Sequence, residues 1–528
     1  MKLTNYELRI TNCRYLFSSL CLVMTAALVT LSFATDGLAQ TRKAKNNLVK
    51  KMKSNVETVV LPNRSPLVSF RIQFMTGAMD DPRGKEGVAA LTAAMLAQGG
   101  SKTQTYEQIV EQFYPMATSF GSQTDKEMTT FVGTTHVENL DKYYGLIREM
   151  LLEPGFRDDD FKRLKQDAIN FLKVSLRNGN DEELGKERLY NNIYAGHAYA
   201  HHNVGTISSL EKLTVQDVRD FYAKNYSRAN LVVGLSGGFP KAFEQRIDAD
   251  FAKLPAGAKN ARKVAMPKLE GGTKIDIVQR ETRATAISLG FPIAVNRAHR
   301  DYPALALVAS YFGQHRSSNS YLYGRLRELR GLNYGDYAYI EYFPRGMFQF
   351  EPDPNLGRQQ QIFQIWIRPV EPQNGHFALR AAMYEFNKLV EKGMTPEDFE
   401  ATRGFLSKYV NILTQTQDAN LGYALDSRYY GIPNFNEYMK QSLAKLTLAD
   451  VNRAIRTHFG NNDAMRVVMI TKDAEALRNA IVSNSVSPIS YNSPKPQEIM
   501  DEDKIISTYR INVRPQDVTI TPVDKVFE

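Results

Sequence analysis

The chain repeats itself, and a repeat constrains architecture before any single residue does. Glu153-Pro154-Gly155 leads to Asp160-Phe161, and Glu391-Lys392-Gly393 leads to Asp398-Phe399, with Glu, Gly, Asp and Phe in identical spacing 238 residues apart. Leu151 and Leu389 precede the two copies at the same offset. Further on, Leu213-Thr214-x-x-Asp217-Val218 recurs as Leu446-Thr447-x-x-Asp450-Val451, 233 residues later. Two matches in the same order favour duplication over chance.

The duplicated stretches carry the same kinds of element. Val68 to Phe74 and Ala286 to Gly290 alternate in and out as half-buried strands do. Tyr334, Tyr337, Tyr339 and Tyr342 mark a further extended stretch. Helical patterns run over Val137 to Leu152, Asp158 to Leu176 and Phe377 to Lys392. Thr395-Pro396-Glu397-Asp398 places Thr as N-cap with Pro at the first helical position, and Thr447 is a second N-cap with an acid in its first turn. Asp158-Asp159-Asp160 fits a helix N-terminus better than a cation site. Apolar strands, Leu231 to Val233 and Val467 to Ile470, close the two copies. Strands, then helices, then a closing strand, in two copies, give an α+β fold. We expect two homologous α/β-sandwich-like halves in tandem, each a mostly antiparallel sheet packed with helices. The expected boundaries are 40–265 and 266–482, across a linker from Leu254 to Gly272, followed by a Ser-, Pro- and Asn-rich tail, 483–528, that wraps the surface.

The first 39 residues have the form of an export signal. Lys2, Arg9 and Arg14 precede an apolar run from Tyr15 to Phe33, and small residues follow around Ala34 and Gly37-Leu38-Ala39. The run is nearly long enough to span a membrane, but its small-residue exit suits cleavage, so the expected location is the periplasm. Both cysteines, Cys13 and Cys21, fall inside this segment, which leaves the mature chain no disulfide, thiolate metal site or thiol nucleophile. The formal charge of +9 includes a basic cluster from Arg42 to Lys53, read as a solvated lead-in and not as a nucleic-acid site. With 43% hydrophobic and 23% charged residues the composition is ordinary for a chain with a large core.

One segment carries a family pattern. Gly77-Ala78-Met79-Asp80-Asp81-Pro82-x-Gly84-Lys85-x-Gly87-Val88-Ala89 resembles the approach to the metal motif of insulinase/pitrilysin-type metallopeptidases. There Gly-Leu-Ala runs into His-x-x-Glu-His. The resemblance implies two histidines one helical turn apart sharing a zinc ion, and a Glu on the same face as general base. Here the three positions are Ala90, Ala93 and Ala94. The family's third ligand is a Glu on a later helix, but Phe161 to Asn180 contains none, and Asp167 is its lone carboxylate. Methyl groups offer neither a lone pair nor a proton, so no metal is expected in this motif, while alanine keeps the helix.

The second half departs less. Ser320-Tyr321-Leu322-Tyr323-x-x-Leu326-Arg327-Glu328-x-x-Gly331-Leu332-x-Tyr334 resembles the family's second signature, and the likeness extends from about Asn55 to Ile470. It implies that Arg327 and Tyr334 face a zinc ion across a clamshell, stabilising the oxyanion of a scissile carbonyl. We expect Arg327 at a helix end, a break at Gly331, and Tyr334 opening a strand.

Absent zinc ligands and a retained Arg/Tyr pair resemble the non-catalytic subunit of two-chain enzymes of this family. The implied partners are a zinc-bearing homologous subunit and peptide substrates, with self-association into a homodimer when isolated. Zinc is expected in the partner and no cofactor in this chain. The alternative is a catalytically dead peptide-binding or assembly protein. A third reading relocates the metal to His197, His201 and His202, although Gly196 and Asn203-Val204-Gly205 mark that stretch as a loop. Ser122, Thr124 and Thr129 to Thr134 lie where the family has an edge strand that pairs with extended peptide.

Overall fold

The computed structural model describes residues 56–346, 349–460 and 464–528. The expected export signal, the two cysteines and the basic cluster lie outside them. Among the described residues no helix is long and apolar enough to cross a membrane.

Two sheets carry the duplication. The first is built from β1 (Glu57–Pro62), β2 (Leu67–Phe74), β3 (Ser119–Thr124), β4 (Thr129–His136) and β5 (Leu231–Gly237), in the order β1-β5-β2-β4-β3. The second is built from β6 (Lys274–Gln279), β7 (Thr285–Ile293), β8 (Asp336–Tyr339), β9 (Gln361–Val370), β10 (Arg466–Thr471) and β11 (Val518–Pro522), in the order β11-β6-β10-β7-β9-β8. Without β11 the two orders are the same. In each sheet the opening strand pairs parallel with the closing strand, β1 with β5 and β6 with β10; β11 also pairs parallel with β6, and the remaining pairs are antiparallel. The helices Val88–Gln98 and Tyr302–Gly313 follow the second strand of each half, and long helices separate the fourth strand from the last.

The sequence repeats turn out to be structural devices. Thr214 and Thr447 both cap helices, each accepting the amide of the Asp three residues on, whose carboxylate accepts the Thr amide in return. Thr395 caps its helix through the Asp398 amide at 3.1 Å, with Pro396 in the first turn.

The in-out alternation expected for β2 does not hold. Ser69, Arg71 and Gln73, the polar set, are as buried as Val68, Phe70 and Ile72. The cause is an exchange of helices between the halves. The helix Gln417–Tyr430 of the second half packs on β1, β2 and β5, and the helix Asp181–Ile193 of the first half packs on β7, β9 and β10. Leu421 and Leu425 join Val59 and Val232 in an apolar cluster, while Asp418 takes Arg71 at 2.6 Å. Arg188 reciprocates on Asp276 at 2.7 Å. Gly185 allows the close approach: a Cβ there would meet Ser288 Oγ at 3.1 Å.

The tail is more ordered than its composition suggests. It forms the helix Gln497–Ser507, adds β11 parallel to β6, and ends with Val526 and Phe527 buried in the first-half core.

Candidate functional site

Asp81 builds the start of the helix Val88–Gln98. Its carboxylate accepts the amides of Gly87 at 2.6 Å and Ala89 at 2.8 Å, and His201 Nε2 donates to it at 2.9 Å. Burial pushes the Asp81 carboxyl up, against the opposing pull of His201. Gly87 holds φ 105°, and a Cβ there would meet the Val204 carbonyl at 2.4 Å. The local frame of the motif is therefore intact.

What the frame presents is inert. Ala93 is fully buried and Ala90 and Ala94 are half-buried. The helix Asp158–Asn170 packs against this helix through apolar residues, and Asp167 faces solvent. Beyond it the chain widens into a π-helical turn, Phe171–Leu176. None of these positions offers a ligand set.

Beside the motif lies a cavity of about 440 Å³, lined by Ser122 to Thr124 of β3, Phe171 and Leu176 of the wide turn, Glu187 of the exchanged helix, and His202. Among the described residues no strand pairs with the outer side of β3. Thr129 to Thr134 belong to β4, which is interior, paired on one side with β2 and on the other with β3, so the edge is Ser119–Thr124 alone. Glu187 accepts from Tyr342 at 2.9 Å, and burial raises its carboxyl. Burial pushes His202 down to about 3. Its ring packs against Phe171 at 5.7 Å and Phe527 at 5.5 Å.

The three clustered histidines go separate ways. His197 Nε2 lies 2.8 Å from the Ala265 carbonyl, His201 holds Asp81, and His202 Nδ1 accepts the Val204 amide at 3.0 Å. They do not converge on a common point. Among the described residues one trio of ligand side chains does converge, His299, Asp301 and His458. The sequence shows the spacing of the first two, but His458 lies far along the chain.

Arg327 and Tyr334 come together. Arg327 sits on a π-helical turn, Tyr323–Glu328, paired with Glu328 and 5.1 Å from the Tyr323 ring centroid. Gly331 breaks the turn at φ 69°. Tyr334 precedes β8 by two residues, so it stands on the connecting loop and not in the strand. Its side chain is 78% exposed. Both residues line one open groove of about 600 Å³, with Arg283, Asn333, Tyr491 and Lys495. Arg330 anchors the groove floor to the helix Gln497–Ser507 through Glu502 and Asp503, each at 2.7 Å. Neither the alanine positions nor the β3 edge contributes to this groove; the two parts of the site face different spaces.

Comparison with known proteins finds matches to both halves of the chain. The profile described as insulinase (peptidase family M16) matches residues 58–206, and that described as peptidase M16 inactive domain matches residues 212–406. The chain is 22% identical over 419 residues to a protein named non-peptidase homolog YmxG from Helicobacter pylori, covering 77% of this chain and 90% of that one. It is 25% identical over 313 residues to an uncharacterized zinc protease of Rickettsia bellii, covering 56% and 73%. Its fold resembles a solved peptidase M16 inactive domain from Pseudomonas fluorescens, with a TM-score of 0.68, 23% identity and 79% and 95% coverage. It also resembles the periplasmic protease PqqL from Escherichia coli, with a TM-score of 0.64, 15% identity, 89% coverage of this chain and 51% of that one.

Proposed function

The chain belongs to the insulinase, or M16, peptidase family, and on that premise we propose that it is the non-catalytic subunit of a zinc-dependent peptidase complex. In this reading a zinc-bearing homologue supplies the metal and the general base. This chain helps to enclose the peptide and supplies Arg327 and Tyr334 to the partner's site.

The observation that carries the proposal is a separation. The zinc positions hold methyl groups, while the half-buried Arg327 and the exposed Tyr334 line a groove that the alanine helix does not reach. A guanidinium and a phenol held at such a surface can stabilise an oxyanion only where another chain brings the electrophilic centre. Arg327 offers a delocalised charge with fixed donors, and Tyr334 a neutral hydrogen-bond donor. The outer edge of β3 supports peptide binding by strand addition. The apolar segment before the described residues supports export to the periplasm.

The second reading, an assembly or peptide-binding protein without chemistry, gains from the relative that is named a non-peptidase homolog. Mixing separates the two. The purified chain alone leaves peptides intact; with a homologue that carries His-x-x-Glu-His, hydrolysis appears. Arg327→Ala and Tyr334→Phe should each lower the kcat of the mixture by about 10²-fold or more, the usual cost of losing one oxyanion donor. Because Tyr334 is largely exposed and the half-buried Arg327 pairs with the exposed Glu328, neither change should move the melting temperature of the chain. Undiminished kcat in both variants would leave only the second reading.

A further inference from the structure

His299 and Asp301 lie on the turn that opens the helix Tyr302–Gly313, and His458 ends the helix Leu448–His458 that packs against it. One ligand atom from each side chain falls within 4.8 Å of the other two. His458 Nε2 and Asp301 Oδ2 are 2.9 Å apart. Tetrahedral zinc with bonds of about 2.0–2.1 Å separates its ligand atoms by roughly 3.3 Å, so opening this pair by a few tenths of an ångström admits an ion in place of the shared proton.

The surroundings resemble those of built metal sites. Asp301 is buried, and Arg453 donates to both of its oxygens, Nη2 to Oδ1 at 2.9 Å and Nη1 to Oδ2 at 3.3 Å; the Oδ1 contact is the kind of outer partner that orients a ligating carboxylate. Arg453 in direct contact and Arg300 at 3.8 Å add positive charge beside Asp301, and an ion bound at Oδ2 takes the place of the longer Arg453 Nη1 contact. The His299 ring is held by the Asp301 amide, which donates to Nδ1 at 3.1 Å, and stands edge-on to His458 with centroids 5.4 Å apart. Coordination exchanges that hydrogen bond, or the Nε2 proton, for the metal. His299 and His458 are half-buried, which leaves an open side from which an ion can enter.

We propose that His299, Asp301 and His458 form a divalent transition-metal site, with zinc the ion best matched to two imidazoles and one carboxylate. It lies in the second half, apart from the alanine positions of the first, and does not depend on the Arg/Tyr reading. An ion here ties a turn to a helix end 157 residues away, and so binds the native chain in preference to the unfolded one.

The full mature chain, stripped with a chelator, is titrated with zinc alone against a chromophoric competitor. One equivalent should bind, and the melting temperature should rise with zinc concentration. Cobalt(II) in place of zinc should give the visible absorption of a low-symmetry, protein-bound ion. His299→Ala, on a turn and half-exposed, should fold as the native chain does and weaken zinc binding at least tenfold; His458→Ala should do the same. Failure to compete for zinc, or equal binding by native chain and both variants, would overturn the site. A comparable loss in His136→Ala, a histidine outside the cluster, would mark scattered surface binding and overturn it equally.

Discussion

At the residue scale, the first half keeps a well-built helix start in front of three alanines. Asp81 and Gly87 set the start of the helix that carries Ala90, Ala93 and Ala94. Ala93 is fully buried, so a glutamate placed there would enter an apolar interior without a metal to pair with. His202 gives this region a measurable signature. Its folded-state pKa lies at about 3, well below the ordinary 6.5 of an unfolded chain. The unfolded state therefore binds the proton more readily, and stability rises with pH across that window and falls as pH drops from about 6.5 toward 3. Between pH 7 and pH 5 the loss from this group is about 2 kcal/mol. In His202→Asn the amide oxygen can still accept the Val204 amide, but the titrating ring is gone. Denaturant unfolding at the two pH values should show a shallower pH slope in the variant, with lower stability at pH 7 from lost packing against Phe171 and Phe527. An unchanged slope would place the acid-sensitive group elsewhere.

At the element scale, the repeat was legible where it was local. Leu213-Thr214-x-x-Asp217-Val218 and its copy are capping boxes because the hydroxyl and carboxylate need only reach three residues along the chain. Each Thr→Ala substitution should cost about 1 kcal/mol, and the double variant should cost the sum, since the two caps sit in different halves. Denaturation curves of the three variants test this; strong non-additivity would mean that the caps share a partner. The exchange of helices was not legible. Whether Ser69, Arg71 and Gln73 face water or a foreign helix depends on Asp418 and Leu421, which lie some 350 residues further along. A separation of 157 residues likewise hid the meeting of His458 with Asp301 and its neighbour His299. The Arg327 and Tyr334 pairing was legible because a single Gly331 turn separates them; the placement of Tyr334 before β8 was not, since strand ends are set by partners in β9.

At the scale of the whole molecule, the exchange makes the halves interdependent, and buried charges at their junction set how strongly. Asp125, at the tip of the β3–β4 hairpin, accepts from Arg358 Nε at 2.8 Å and Nη2 at 2.5 Å, and both side chains are buried. The Arg358 guanidinium also lies 3.6 Å from the Tyr342 ring centroid, and Asn203 donates to Asp125 at 2.8 Å. Glu127, two residues on, receives Gln359 and Tyr429 of the second half at 2.7 and 2.8 Å. Pairs of this kind add little over an apolar junction, but removing one partner strands the other charge in low dielectric. Asp125→Asn should therefore cost about 3–5 kcal/mol, far more than the loss of a surface pair. How that cost is distributed tests the architecture. Each exchanged helix packs on the sheet of the other half, so neither half can keep its core while the other unfolds. The variant should melt in one transition at a lower temperature, with fluorescence and circular dichroism coincident. Two separated transitions in Asp125→Asn would mean that the halves are independent domains joined only at their surfaces, and that the helix exchange does not couple them.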